Sequence, residues 1–203
     1  MWSNEKTDVA LTTPLSRRQR AIRVLLATQG IFFVALAWCM LLEHGANAQT
    51  SGISFYGVNH RTVVLAVVGY VSAAVGLWRL SLIFRESGLD PLLWMGLRVI
   101  AVMLILLLVT PYNEGPFLNW AHMIVGVAGA LTQLAIAIML LRRYGSLAAI
   151  LGFSVQLSGG ILGAFSLPDW RFQFLLYAET IFELGFGWCL LQWTKVLSSD
   201  VER

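Results

Sequence analysis

The stretch FQFLLYAETIFELGFGWCLLQW, residues 172–193, decides the fold, because it is long and apolar enough to cross a bilayer yet carries Glu179 and Glu183. A carboxylate inside the hydrocarbon region costs roughly 3 kcal/mol or more unless it is paired, hydrated or protonated. Four positions separate the two acids, so both lie on one face of a helix. The other apolar segments must therefore supply polar partners for this face.

The whole chain is strongly apolar. Of its 203 residues, 58% are hydrophobic and 12% are charged, and the mean hydropathy is +0.73. A soluble globular domain is about a quarter charged and less than about half apolar. The composition therefore predicts an integral membrane protein and argues against an ordinary soluble domain. The net charge of +3 is interpreted by position along the chain and not as a sign of nucleic-acid binding.

Hydropathy predicts an all-α polytopic membrane protein, a bundle of six transmembrane helices in one domain at 21–193. A cytoplasmic N-terminal segment at 1–20 precedes this domain, and a cytoplasmic tail at 194–203 follows it. The connections between apolar segments are short, so neighbouring helices are expected to be antiparallel. The six spans are predicted at 21–42, 62–84, 91–110, 119–141, 147–167 and 172–193.

The basic residues predict the orientation. With the N-terminus inside, most Lys and Arg residues fall at the cytoplasmic ends of the spans, whereas Arg61 and Arg171 fall at the outer ends. This bias follows the positive-inside rule, so both termini are expected in the cytoplasm. The chain is expected to be a multi-pass protein of a bacterial inner (plasma) membrane. A cleaved signal peptide is the alternative for the first span, since Ala-Asn-Ala at 46–48 fits a cleavage site. The long apolar run favours a retained span.

Polar side chains from five spans fall at similar depth when about 1.5 Å per residue is counted from the cytoplasmic ends. This predicted buried polar core consists of Gln29, Arg98, Gln133, Gln156 and Glu183, with Glu179 one turn further out. Small residues accompany the polar ones on spans four, five and six, which predicts close packing of these three helices. Arg98 is expected to pair with Glu183, which leaves Glu179 as the protonatable or ligand-facing group.

Two interpretations of this core stay open. In the first, the polar groups form an interhelical network that fixes the register of the helices. In the second, they form a site that handles protons or ions, or a pocket for a polar ligand, because acids within a membrane are functional by default. Two acids facing one arginine tilt the balance towards a function.

A second group of polar residues falls at the outer ends of the spans. This predicted outer rim consists of His44, His60, Arg61, Glu114, His122, Asp169 and Arg171. Two interpretations of the rim stay open: either cap and interfacial polar residues simply collect at helix ends, or the rim contacts a lipid headgroup or phosphate, because helix N-termini favour anions. A metal held by His and carboxylate ligands is a weaker alternative, since the chain has no HExxH motif and no pair of histidines at i and i+4. Within the longest outer connection, 43–61, the weakly alternating segment 53–56 is expected to lie along the membrane surface.

The leading functional hypothesis is a small non-enzymatic membrane protein. Its buried polar core would bind or pass a small solute, a proton or a lipid headgroup. Action as a subunit of a larger complex is compatible with this hypothesis. The alternatives are an outer-leaflet membrane hydrolase with a metal site, and a pure scaffold or assembly subunit. The expected partners are membrane lipids and copies of the chain or other membrane subunits, with no nucleic acid. No cofactor is expected apart from the alternative rim metal.

Overall fold

The computed structural model describes residues 16–166 and 173–197. Within these two ranges the chain forms eight helices and no strand. The helices are α1 (Arg17–Leu42), α2 (Ala46–Ser51), α3 (Ser54–Val58), α4 (Val63–Glu86), α5 (Pro91–Val109), α6 (Pro116–Tyr144), α7 (Leu147–Ser166) and α8 (Leu175–Val196). The predicted all-α fold is therefore confirmed for the described residues.

Five of these helices, α1 and α4 to α7, are long and apolar enough to cross a membrane. The sixth long helix, α8, has 22 residues, which corresponds to about 33 Å and is sufficient length for a bilayer. Its two acids lower its hydropathy, and it does not meet the criterion that the other five helices meet. The multi-pass membrane character thus stands, while the sixth crossing and the orientation of the termini stay predictions.

The helix bounds agree with the predicted spans to within about one turn, and local capping explains the differences. The first helix begins earlier than predicted because Ser16 and Gln19 form a capping box ahead of it. At the start of α5, the Asp90 side chain accepts a hydrogen bond from Leu92 N, and Pro91 occupies the first helical position. Of the predicted N-terminal segment and C-terminal tail, residues 1–15 and 198–203 lie outside the described residues, whereas 17–20 belong to α1 and 194–196 to α8.

The six long helices form a closed ring in chain order. Each packs against the next long helix, and α8 returns to contact α1. Short connections make neighbours antiparallel, so the bundle has two ends with different composition. We call the end that carries His44, His60 and His122 the histidine end, and the opposite end, which carries Arg142 and Arg143, the arginine end.

Two apolar clusters fill the interior of the ring. The cluster nearer the arginine end contains, among others, Leu25, Leu97, Phe186 and Leu190. The cluster nearer the histidine end contains, among others, Phe32, Tyr56, Tyr70 and Leu176. On α8, Glu179 and Glu183 fall between Leu176 of one cluster and Phe186 of the other. A polar layer, which consists of Glu179, Glu183, Gln133 and Gln156, therefore separates the two apolar clusters.

Glycines allow α7 and α8 to pack backbone against backbone. A Cβ on Gly159 would collide with the backbone of Ala178 and Phe182, and a Cβ on Gly185 would collide with the backbone of Gln156. Such close approach is typical of helix pairs in lipid, where small residues replace the hydrophobic drive. The expected tight packing of spans five and six is confirmed, whereas α6 contacts this pair less extensively.

Segment 53–56, in the long connection between α1 and α4, does not lie along the surface as expected. The connection folds into the mouth of the ring as α2 and α3, which pack against α8 and α4. Ala48, Tyr56 and Thr62 are fully buried. The Tyr56 hydroxyl donates to the Glu43 carbonyl at 3.2 Å, and the Thr62 hydroxyl donates to the Tyr56 carbonyl at 3.0 Å. These hydrogen bonds satisfy backbone groups that would otherwise be buried without partners.

Candidate functional site

Glu179 is held by the backbone of the α2–α3 turn. Its Oε2 accepts a hydrogen bond from the Ile53 N–H at 2.6 Å, a distance in the range of charge-assisted bonds. Gly52 has a φ of 71°, and a Cβ at this position would collide with the Glu179 carboxyl group. Glycine is needed here for both reasons: it adopts the left-handed conformation without strain, and it leaves room for the carboxyl group.

Glu183 is held by a side chain from across the ring. Its Oε1 accepts a hydrogen bond from Gln133 Nε2 on α6 at 2.9 Å. Gln133 is only 4% exposed, and its Oε1 has no hydrogen-bond partner among the described residues. The predicted convergence of α6 and α8 polar groups is therefore present at this pair.

Gln156 is the most deeply buried polar side chain of the layer. It is 0% exposed, and neither its Nε2 nor its Oε1 has a hydrogen-bond partner among the described residues. Its backbone lies against Gly185, about half a turn from the level of Glu183. A buried amide without partners is rare in folded proteins and marks a place where a polar guest is favoured. Gln29, by contrast, is only partly buried and has no hydrogen bond to a described residue.

The expected ion pair between Arg98 and Glu183 is wrong. The Arg98 Nε donates to the Ser81 hydroxyl of α4 at 3.2 Å. Its guanidinium lies over the Trp78 ring at 5.1 Å and over the Trp94 ring at 4.9 Å, each measured to the ring centroid. Arg98 thus uses cation–π contacts along the α4–α5 contact and does not cross the ring to α8.

The depth of Arg98 was predicted correctly and its direction was not. On α5, a Cβ at Gly96 would meet Ile136 of α6, and Met103 lies against Gly129. Arg98 falls between these two levels and is therefore level with Gln133, the partner of Glu183. The buried stripe of α5, however, runs through Leu93, Leu97, Ile100 and Ala101. Arg98 lies beside this stripe and so faces the neighbouring helix.

The polar layer consequently carries two carboxylates without a cation beside them. Among residues 16–166 and 173–197, neither Glu179 nor Glu183 forms an ion pair. Their hydrogen-bond donors, the Ile53 N–H and the Gln133 amide, are both neutral. Both carboxylates are only partly buried, and α8 directs them towards the interior of the ring. Such a pair favours binding of positive charge, whether a proton or a cation.

A hydrogen-bonded pair, His122 and Ser54, lies at the histidine end. His122 Nδ1 donates to the Thr110 carbonyl at 2.7 Å, and His122 Nε2 contacts the Ser54 hydroxyl at 2.7 Å. The carbonyl can only accept, so Nδ1 carries the proton and Nε2 of the neutral ring accepts from Ser54. Tyr70 lies beside this pair, because it lines the same cleft.

A small cleft of about 10 Å³, roughly the space for one water molecule, opens beside this pair and is lined by Ser54, Tyr70 and His122, together with apolar residues of α5. The cleft lies at the histidine end, next to the α3 helix. A ligand of the polar layer would therefore approach it from the histidine end.

The other residues of the predicted outer rim do not converge with His122. His44 Nε2 contacts the Tyr177 hydroxyl at 3.2 Å, and Arg61 forms an ion pair with Glu43 at 3.0 Å. His60 and Glu114 are exposed. Within the described ranges, no group of three His, Cys, Asp or Glu side chains could hold a metal ion. The predicted rim residues Asp169 and Arg171 lie outside the described residues.

Sequence reasoning missed three groups of this site: Ser54, Tyr70 and the Ile53 N–H. Ser54 and Tyr70 carry common polar side chains in segments that were assigned to a surface loop and to helix packing. A backbone donor has no signal in the residue type at all. The available signal was Gly52, because a glycine followed by apolar Ile53 in a polar loop is typical of a turn packed against another element.

Comparison with family models, with curated proteins and with solved structures finds no match to this chain. The functional argument therefore rests on the geometry of the polar layer and of the cleft.

Proposed function

We propose that this protein takes up positive charge, a proton or a small cation, from the histidine end and holds it at Glu179 and Glu183. The observation that carries the proposal is the pairing of these two carboxylates with neutral donors alone. Two acids one turn apart repel each other when both are ionised. A proton or a cation between them removes this repulsion and lowers the cost of their burial.

The position of Arg98 supports the same proposal. If Arg98 paired with Glu183, one carboxylate would be neutralised and the layer would serve as a structural strut. Its guanidinium is instead engaged by Ser81, Trp78 and Trp94 on α4 and α5. The charge of the carboxylate pair is thus left for a mobile partner to balance.

The pair of His122 and Ser54 marks the proposed entry. With a neutral His122, the Ser54 hydroxyl donates to Nε2. When a proton binds to Nε2, the imidazolium donates to Ser54, and the hydroxyl hydrogen of Ser54 turns away from the ring. The cleft that Ser54 and Tyr70 line has room for about one water molecule and lies next on the proposed route. The sequence predicts that the histidine end faces outside, so uptake would proceed from the external medium.

The orphaned amides favour a polar guest in the same layer. Gln156 has both amide atoms unpaired, and Gln133 has its Oε1 unpaired, among the described residues. Amide oxygens are ligands for hard cations and hydrogen-bond acceptors for ammonium groups and water. These groups would surround a hydrated proton or a small cation that is held by the carboxylates.

The test is ion flux through the full chain reconstituted in liposomes. A pH-sensitive dye inside the vesicles reports proton entry under an imposed potential, and separate preparations with sodium, potassium or an organic ammonium report cation entry. We expect Glu179→Gln and Glu183→Gln each to reduce the flux about tenfold or more, because each removes the charge that attracts the ion. Glu86→Gln is the matched control, since Glu86 is an exposed carboxylate at the end of α4.

The outcomes separate the hypotheses. Dependence of the flux on added cation identifies a cation as the transported species, whereas flux under a pH gradient alone identifies the proton. Normal flux in both glutamine variants, or no flux above that of empty liposomes in any ion, would reject the proposal and favour the scaffold alternative. Circular dichroism of each variant verifies that the helices are retained.

A further inference from the structure

A second concave region lies at the arginine end, between the ends of α5, α6 and α8. Its volume is about 180 Å³, which is below the roughly 300–1,000 Å³ of sites that enclose a whole ligand and suits part of a larger molecule. Its lining divides into an apolar part and a charged part. The apolar part consists of Leu89, Leu93, Met139 and Trp193, and the charged part consists of Asp90, Arg142 and Arg143.

The apolar part forms a fixed floor. Leu93 is 2% exposed and Trp193 is 5% exposed, and both belong to the apolar cluster of the arginine end. Side chains that are packed on their inner sides do not need to rearrange when a ligand arrives, so little ordering entropy opposes binding. An apolar group, such as part of an acyl chain, can therefore bind on the floor without rearrangement of these side chains.

The charged part contains one arginine beside an ion pair. Arg143 forms an ion pair with Asp90 at 3.1 Å. Arg142 is exposed and has no ion pair with any residue in the described ranges. The guanidinium of Arg142 therefore places a positive charge at the mouth of the crevice. The N-terminus of α5 at Pro91 adds the positive end of a helix dipole to the same mouth.

We propose that this crevice binds an anionic phospholipid, with the phosphate on Arg142 and the start of an acyl chain on the Leu93–Trp193 floor. Guanidinium groups bind phosphate through paired hydrogen bonds. A small soluble anion would satisfy Arg142 but would leave the exposed parts of Leu89 and Met139 in water, whereas a lipid covers both parts. The arginine end is also the predicted cytoplasmic side, where anionic lipids concentrate and basic pockets between helices bind their headgroups.

This site does not depend on the proposed uptake of positive charge. None of the residues that line the crevice belongs to the polar layer or lines the cleft of His122, Ser54 and Tyr70. The two sites lie towards opposite ends of the bundle and attract charges of opposite sign. Lipid binding and ion flux can therefore succeed or fail separately.

The test measures thermal stability of the full chain in detergent with added phosphatidylglycerol or phosphatidylcholine, and native mass spectrometry counts the retained lipids. We expect phosphatidylglycerol to raise Tm more than phosphatidylcholine does. Arg142→Gln should weaken phosphatidylglycerol binding about tenfold or more, since a hydrogen bond to a charged group is lost. Met139→Trp should have a similar effect because the larger ring fills the crevice while Arg142 is kept.

The control is Arg79→Gln, which removes one exposed positive charge of α4 outside the crevice. Retained selectivity in this control, with loss in both crevice variants, supports the site. Unchanged selectivity in Arg142→Gln or in Met139→Trp would overturn it, as would an equal loss in the control, which would indicate only diffuse surface charge. An equal Tm rise with glycerol 3-phosphate alone would overturn the lipid assignment in favour of a soluble anion. If Arg142→Gln does not fold, the lipid binding of Met139→Trp alone tests the proposed site.

Discussion

Two charged regions lie at the same level of the ring. The charge of one is stabilised by neighbouring side chains, whereas the charge of the other has only neutral hydrogen-bond donors. Arg98 on α5 rests against two tryptophan rings and the Ser81 hydroxyl, so a neighbouring helix meets its needs. Glu179 and Glu183 on α8 face the interior and receive one neutral hydrogen bond each. Opposite charges at equal depth have therefore not formed a pair, because they point in different directions around the ring.

The comparison shows that depth and direction carry different information in a membrane helix. Depth follows from counting residues, while direction follows from which neighbours the small and apolar residues select. Arg98 lies one position beyond Leu97, which is 0% exposed, and this step of about 100° turns its side chain away from the interior. A charge that is satisfied locally is structural, and one that is left for a mobile partner is a candidate for function.

The largest expected effect comes from separating α7 and α8, which would break the carboxylate site and leave the Arg98 region intact. We expect Gly159→Ala to lower the free energy of unfolding by about 3 kcal/mol, because its Cβ must displace the α8 backbone. Reversible unfolding in mixed micelles measures the change. Gly187→Ala is the control, since a Cβ there meets no atom within 4 Å. Equal destabilisation by both substitutions would contradict this view of the helix contact.

A smaller effect is expected from removing the hydrogen bond to Glu183. Gln133→Leu should cost about 1–3 kcal/mol, because it leaves a buried carboxylate without its donor. The double variant with Glu183→Leu should recover part of this loss, since no polar group is then left unsatisfied. Thermal unfolding of the four forms of this cycle measures both values. Additive costs in the double variant would show that the two side chains do not interact.

Gly52→Ala tests the turn that holds Glu179 and should affect flux more than stability. The left-handed backbone at Gly52 makes alanine unfavourable by about 1–2 kcal/mol, and the new Cβ displaces the Glu179 carboxyl group. We expect a flux close to that of Glu179→Gln in the liposome assay. Gly57→Ala, where a Cβ meets nothing within 4 Å, should keep normal flux. Normal flux in the Gly52 variant would remove the turn from the proposed site.

The smallest expected effect sharpens the comparison directly. A double-mutant cycle between Arg98→Met and Glu183→Gln should give a coupling energy below about 0.5 kcal/mol, as for residues that share no contact. Each single substitution is expected to reduce stability through the loss of its own local partners. A coupling energy of about 1 kcal/mol or more would mean that the two charges interact, and the expected ion pair would be reinstated.

Much of the fold was predictable because hydropathy and capping depend on local sequence. The membrane class, the bounds of the long helices and the start of α5 at Asp90 and Pro91 all follow from such signals. The convergence of Gln133 with Glu183 was also predictable, since both are rare polar residues at matched depth. These predictions use only the position of a residue along its own helix.

The remainder of the site depends on how elements meet, which residue types do not encode. Arg98 could have faced α8 or α4. It faces α4, because Trp78 and Trp94 provide cation–π contacts there. Segment 53–56 before α4 was expected at the membrane surface because its apolar and polar residues alternate weakly. Burial of Tyr56, with its hydroxyl bonded to the Glu43 carbonyl, depends on a partner far from it in the chain.

The bond from the Ile53 N–H to Glu179 has a consequence for how this protein should be mutated. Every residue except proline presents the same amide at position 53, so a scan that replaces side chains one by one would keep this donor and report Ile53 as a packing residue. Ile53→Pro removes the donor, and its effect on Glu179 should far exceed that of Ile53→Ala. The hydrogen bond that holds this carboxylate is thus not detected by alanine scanning and can be tested only by changes in the main chain.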